Sequence, residues 1–146
     1  MRIKKTISIP LHKAPMCFSF IKRIADFSGF LSISEEVLET MYITSMCQCG
    51  DNDCGTFTLK RNEEWGGELP DSYIIDTSKG VVIIHLLKNG YMEIEAIMYD
   101  HFPYKPELKR VLQGNFKAPS KKECAQLDAY FSDIAPGDMK TIVVDN

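Results

Sequence analysis

Two β-prone runs separated by Asn-Gly constrain this chain more than any other feature. Val81-Val82-Ile83-Ile84-His85-Leu86-Leu87-Lys88 is followed by Asn89-Gly90 and then by Tyr91-Met92-Glu93-Ile94-Glu95-Ala96-Ile97-Met98-Tyr99. Asn-Gly is the preferred pair for a two-residue hairpin turn, because both central residues need positive φ. Such a turn sets Lys88 against Tyr91. Counting outward, Val81, Ile83, His85 and Leu87 share a face with Met98, Ala96, Ile94 and Met92, and this is the expected core face. The opposite face carries Val82, Ile84, Leu86 and Lys88 beside Ile97, Glu95, Glu93 and Tyr91, apolar at the strand bases and acidic near the turn.

The segments around this hairpin alternate in type. Residues 2 to 9 read as an edge strand, because Pro10 forbids continuation in a paired central strand. Pro15 suits a first helical position, and Cys17, Phe20, Ile21, Ile24 and Phe27 follow at helical spacing until Gly29. Ser32 with Glu35 announces a second short helix, carrying Ile33, Val37 and Leu38 and ending near Thr40. Met41–Met46 and Gly55–Lys60 form strands around a Cys- and Asp-rich connector, Asn62–Asp71 is a loop containing Trp65, and Tyr73–Thr77 is a further strand.

Pro106 and Glu107 then open a helix with Leu108, Val111 and Leu112 inward and Gly114 as its stop. The last helix starts at Ser120 with Glu123 as capping partner and an apolar stripe of Cys124, Leu127, Phe131 and Ile134, and Thr141–Val144 reads as a final strand. Strands and helices are segregated instead of alternating. The expected class is therefore α+β, with an antiparallel sheet of about six to seven strands, two N-terminal helices and two C-terminal helices, in a single domain over residues 1–146.

Composition narrows the function classes. The 146 residues are 45% hydrophobic and 25% charged, an ordinary globular balance, and no apolar run approaches the length of a bilayer span. The net charge of −3, with Lys and Arg scattered, argues against nucleic acid and for a basic partner. Met1–Pro10 has no long apolar segment or small-residue cleavage site, which gives a cytoplasmic expectation. Five cysteines in that setting read as thiols or metal ligands, not as a disulfide framework.

Cys47-Gln48-Cys49-Gly50-Asp51-Asn52-Asp53-Cys54-Gly55 places three thiols within eight residues. Thiolates are soft zinc ligands and glycines allow a tight turn around an ion, so Cys47, Cys49 and Cys54 are the candidate metal ligands. Paired Cys-x-x-Cys knuckles are missing, however, and the competing reading packs Cys47 and Cys54 inward as small apolar residues. Calcium at Asp51-Asn52-Asp53 fails on the spacing of the remaining oxygen ligands. His85 falls on the expected core face and reads as a satisfied buried residue. Glu93 and Glu95, about 6–7 Å apart on one strand face, have the separation of a carboxylate pair but equally that of a solvated edge. No Ser-His-Asp order, phosphate-binding loop or dinucleotide fingerprint is present.

The Cys-x-Cys-Gly segment running into Cys54-Gly55-Thr56-Phe57, the apolar hairpin, Tyr99-Asp100 and Pro103 together resemble small bacterial proteins, some of them similar to immunity proteins of toxin systems. The resemblance covers about residues 47 to 103. It implies a small interaction protein and assigns no residue a role. The leading expectation is a non-enzymatic protein-binding domain without cofactor, using Trp65, Tyr91, Glu93 and Glu95 toward a basic protein partner. The alternative is a zinc-stabilised or thiol-sensing domain built on Cys47, Cys49 and Cys54.

Overall fold

The computed structural model of the protein describes residues 8–28, 35–47, 55–65, 71–98, 104–133 and 140–144. In it the Asn-Gly hairpin becomes the centre of an antiparallel sheet, and the fold is α+β. Along the chain come β1 (Ile9–Pro10), α1 (Pro15–Ser28), α2 (Glu35–Glu39), β2 (Tyr42–Met46), β3 (Phe57–Lys60), β4 (Ser72–Thr77), β5 (Gly80–Leu86), β6 (Tyr91–Met98), α3 (Lys105–Leu112), α4 (Lys121–Ser132) and β7 (Lys140–Val144). The seven strands lie in the order β1-β2-β3-β6-β5-β4-β7. Two helices precede the run of strands and two follow it, as expected. Pro10 pairs with Tyr42 on the edge strand β1, where its missing N–H costs no ladder bond. Residues 2–7 of the expected strand lie outside the described residues.

Strand alternation decides which face is covered. Phe57 and Leu59 of β3, Met92, Ile94 and Ala96 of β6, Val82, Ile84 and Leu86 of β5, and Tyr73 and Ile75 of β4 all point into one buried cluster. The helices supply its other half, with Phe20, Ile21 and Ile24 from α1, Leu108 and Val111 from α3, and Leu127, Tyr130 and Phe131 from α4. Phe20 sits at the junction, its ring centroid 4.7 Å from Tyr104, 5.6 Å from Tyr130 and 5.7 Å from Phe131. Tyr104 in turn meets Phe57 edge-on at 5.4 Å and donates its hydroxyl to the Gly55 carbonyl. One aromatic chain thus ties three helical segments to the sheet.

Local signals explain the helices. Pro15 is the first residue of α1, and the next free N–H groups, those of Met16 and Cys17, both donate to the carboxylate of Glu107 at 3.0 Å. A side chain from α3 therefore caps α1 from 90 residues away. Burial pushes the Glu107 carboxyl up, against the opposing pull of those two N–H groups. Burial, and then the adjacent Glu107, push the Cys17 thiol up in turn, which keeps it neutral and unreactive. The expected capping box of α4 forms, with the Ser120 hydroxyl accepting from the Glu123 N–H and the Glu123 carboxylate accepting from the Ser120 N–H. Its stripe differs from the expectation at one end: Leu127, Tyr130 and Phe131 are buried but Cys124 is exposed, and Ile134 lies outside the described residues.

The hairpin register departs from the expectation by one residue. The Tyr91 N–H does return to the Lys88 carbonyl, and Asn89 (φ 63°) and Gly90 (φ 77°) do occupy the left-handed region. The Leu87 N–H, however, also donates to the Tyr91 carbonyl at 2.8 Å. Leu87 and Lys88 together oppose Tyr91, in the manner of a bulge, and every later pair on β5 shifts by one. The pairs are Leu86 with Met92, His85 with Glu93, Ile84 with Ile94 and Ile83 with Glu95. The faces of β6 are those expected and the faces of β5 are inverted. Val82, Ile84 and Leu86 go in, while Val81, Ile83 and His85 come out. The physical reason is the imidazole: β5 is apolar on both faces except at His85, and the observed register spares that polar ring a dry core.

Candidate functional site

Because β5 is inverted, His85 leaves the core and joins the two glutamates. On the outward face of β4, β5 and β6, Ser72, His85 and Glu93 are successive cross-strand partners in one row, and Glu95 lies in the next row opposite Ile83. His85 Nδ1 is 2.9 Å from Ser72 Oγ, and His85 Nε2 is 2.9 Å from Glu95 Oε2. The imidazole is held between a hydroxyl and a carboxylate, which fixes its ring plane. Side-chain exposure is 29% for His85 and 38% for Glu95, so the row is accessible from solvent. One donor atom from each of His85, Glu93 and Glu95 lies within 4.8 Å of the others.

Around this row the outward face is mixed. Ile97 is 49% exposed and Ile142 is 56% exposed, with Ile74 and Ile83 half-buried between them and Asp76 exposed. Toward the hairpin tip, Tyr91 stands opposite Lys60, whose ammonium lies 5.1 Å from the centre of its ring. Among the described residues this face is thus apolar at Ile74, Ile83, Ile97 and Ile142 and acidic at Asp76 on β4 and at Glu93 and Glu95 on β6.

Tyr91, Glu93 and Glu95 stand on this outward face, as expected. Trp65 does not extend it. Its indole N–H donates to the Tyr91 carbonyl at 2.8 Å, it packs against the core cluster, and the Arg61 guanidinium lies 4.9 Å from the centre of its ring. The same segment accepts and donates around the turn: the Arg61 N–H reaches the Gly90 carbonyl, and the Glu64 carboxylate receives the Asn89 N–H at 2.9 Å. Trp65 therefore braces the hairpin tip. Of the candidate zinc ligands, Cys47 is half-buried with its N–H on the Thr56 carbonyl, while Cys49 and Cys54 lie outside the described residues.

His85 and Ser72 are the residues that sequence reasoning missed. The signal existed, since a lone histidine in an apolar strand marks the face that cannot be dry, and it outweighs the count from the turn. Ser72 carried no signal, because only the β4–β5 register brings it to the ring. Among the described residues no helix is long and apolar enough to cross a membrane. No protein-family model matches the chain, and no curated protein or solved structure matches it.

Proposed function

We propose that the protein is a non-enzymatic binding module that docks a basic protein partner on the outward face of its sheet. The observation that carries this reading is the composition of that face: Ile97 and Ile142 are about half exposed on the same side of the sheet as Glu93, Glu95 and Asp76. Exposed apolar groups gathered next to acids have the make-up of an interface, with a hydrophobic centre and a charged rim. The excess of acids here, and the net charge of −3 over the chain, favour a partner with a basic rim. Tyr91 adds an aromatic contact at the edge, held in place from behind by Trp65. The resemblance of residues 47–103 to small bacterial proteins with immunity-like members points to the same class of role.

The test begins with affinity capture from the native cell and identification of the captured protein. That protein is then purified and titrated against wild type and against Glu93→Lys/Glu95→Lys. A partner with a basic surface, bound at least about tenfold more weakly by the double variant and more weakly by wild type as salt rises, supports the reading. Equal affinity of both forms at low salt, with the variant folded, overturns it. So does concentration-dependent self-association that Ile97→Glu abolishes, because the face would then be covered by a second copy of the chain.

A further inference from the structure

We propose that His85, Glu93 and Glu95 form a binding site for a divalent transition-metal ion of the zinc class. The site shares Glu93 and Glu95 with the proposed docking face, but it does not rest on a partner and is tested on the isolated chain. Its first support is the donor set. One imidazole nitrogen and two carboxylate oxygens from two adjacent central strands lie within 4.8 Å of one another. Ligand atoms around a tetrahedral zinc ion, bound at about 2.0–2.2 Å, stand about 3.4 Å apart, so small side-chain rotations close the set around an ion.

The second support is the orientation of the imidazole. Ser72 Oγ lies 2.9 Å from Nδ1, and Nε2 faces Glu95. Metal-bound histidines are held in a similar way, with the remote ring nitrogen hydrogen-bonded to a neighbouring group that orients the ring. The third is electrostatic. Glu93 and Glu95 carry like charges two residues apart on one face, and among the described residues no lysine or arginine is ion-paired with either. A half-exposed His–Glu contact contributes little by itself and leaves the second carboxylate unexplained. A bound dication answers both charges and takes the place of the Nε2–Glu95 contact.

The chemistry of the set selects the ion. Imidazole with two carboxylates suits zinc and its neighbours, whereas an all-oxygen shell would suit calcium or magnesium, and the absence of thiolate disfavours copper(I). Three protein ligands on an open face leave a further coordination position to water or to a group from outside, unlike the closed four-ligand shell of a structural zinc.

The measurement is calorimetric titration of the chain with zinc chloride in chelator-free buffer at neutral pH, repeated with cobalt(II) and followed by absorption. Wild type is expected to bind one equivalent of zinc, with affinity at least tenfold weaker in His85→Ala and in Glu93→Gln/Glu95→Gln. A Cys47→Ser/Cys49→Ser/Cys54→Ser variant should retain it, and the cobalt complex should lack a thiolate-to-metal charge-transfer band. Thermal denaturation of each variant checks that it is folded, and since His85, Glu93 and Glu95 lie on the outward face, their replacement leaves the helical core in place. No zinc binding by wild type, equal binding by His85→Ala, loss in the cysteine variant with a thiolate band, or tighter binding of magnesium or calcium than of zinc would each overturn the assignment.

Discussion

Gly90 shows how little freedom single positions have here. Its φ of +77° lies in the left-handed region, and a Cβ built on it would stand 2.4 Å from the Arg61 carbonyl oxygen and 2.5 Å from that of Glu63. Both obstacles are backbone. Gly90→Ala is therefore expected to cost more than about 1 kcal/mol, read as a fall in the urea midpoint at unchanged slope. An Asn89→Gly change, which relieves a non-glycine residue at φ 63°, should leave stability within about 0.5 kcal/mol. Glu107 is the other constrained residue, 2% exposed and accepting two N–H groups of α1. Glu107→Ala strands both donors in a buried setting and is expected to cost about 2–4 kcal/mol. Its pH effect has a definite sign. Burial raises the carboxyl above its unfolded value of 4.5, so its contribution is fully present below that value and declines as pH rises through the folded pKa. In paired denaturation curves, the stability of wild type relative to Glu107→Gln should fall as pH rises from about 4.5.

Among the elements, α4 was the most legible, because capping is local. Ser120 and Glu123 make the reciprocal box foreseen from their spacing, and Arg110 of α3 grips the same Glu123 through two nitrogens at 2.9 and 3.2 Å. Burial pushes the Glu123 carboxyl up, but Arg110 and the Ser120 N–H outweigh this and hold it below the usual range. Ser120→Ala should cost about 1 kcal/mol, and helicity at the α4 start, followed by amide exchange, should fall with it. The start of α1 was legible for a similar reason, since proline removes a donor wherever it stands; of the edge strand expected over residues 2–9, only Ile9 falls in the described strand, which includes Pro10. The β5 register was not. A turn count uses two residues and is exact only if no extra residue enters the strand. The bulge at Leu87 and Lys88 involves the same residue types that would form a regular ladder, so neither composition nor β-propensity marks it. Only His85 distinguishes the two faces of β5, and it favours the register observed.

At the scale of the whole molecule, seven antiparallel strands present one face to four helices and the other outward. The chain order of the elements and the segregation of helices from strands were readable from the sequence, because they follow from runs of residues, whereas the spatial order of the strands in the sheet was not. The meeting of Ser72, His85, Glu93 and Glu95 was not, because it needs the register of three strands at once. The covered face holds the buried cluster that stabilises the molecule, and the outward face is the one the proposed function uses. Ile84 and Ile97, which a simple hairpin would place together, end on opposite sides, one buried and one half exposed. That division predicts which surface a partner uses. The most direct measurement is the affinity of the identified partner for three purified forms: wild type, Ile97→Glu on the outward face, and Lys121→Glu at the exposed start of α4 on the helical side. A loss of at least about tenfold, near 1.4 kcal/mol, with Ile97→Glu and none with Lys121→Glu is the predicted result. Unchanged affinity with Ile97→Glu, together with a loss with Lys121→Glu, would contradict the account and move the binding surface to the helices.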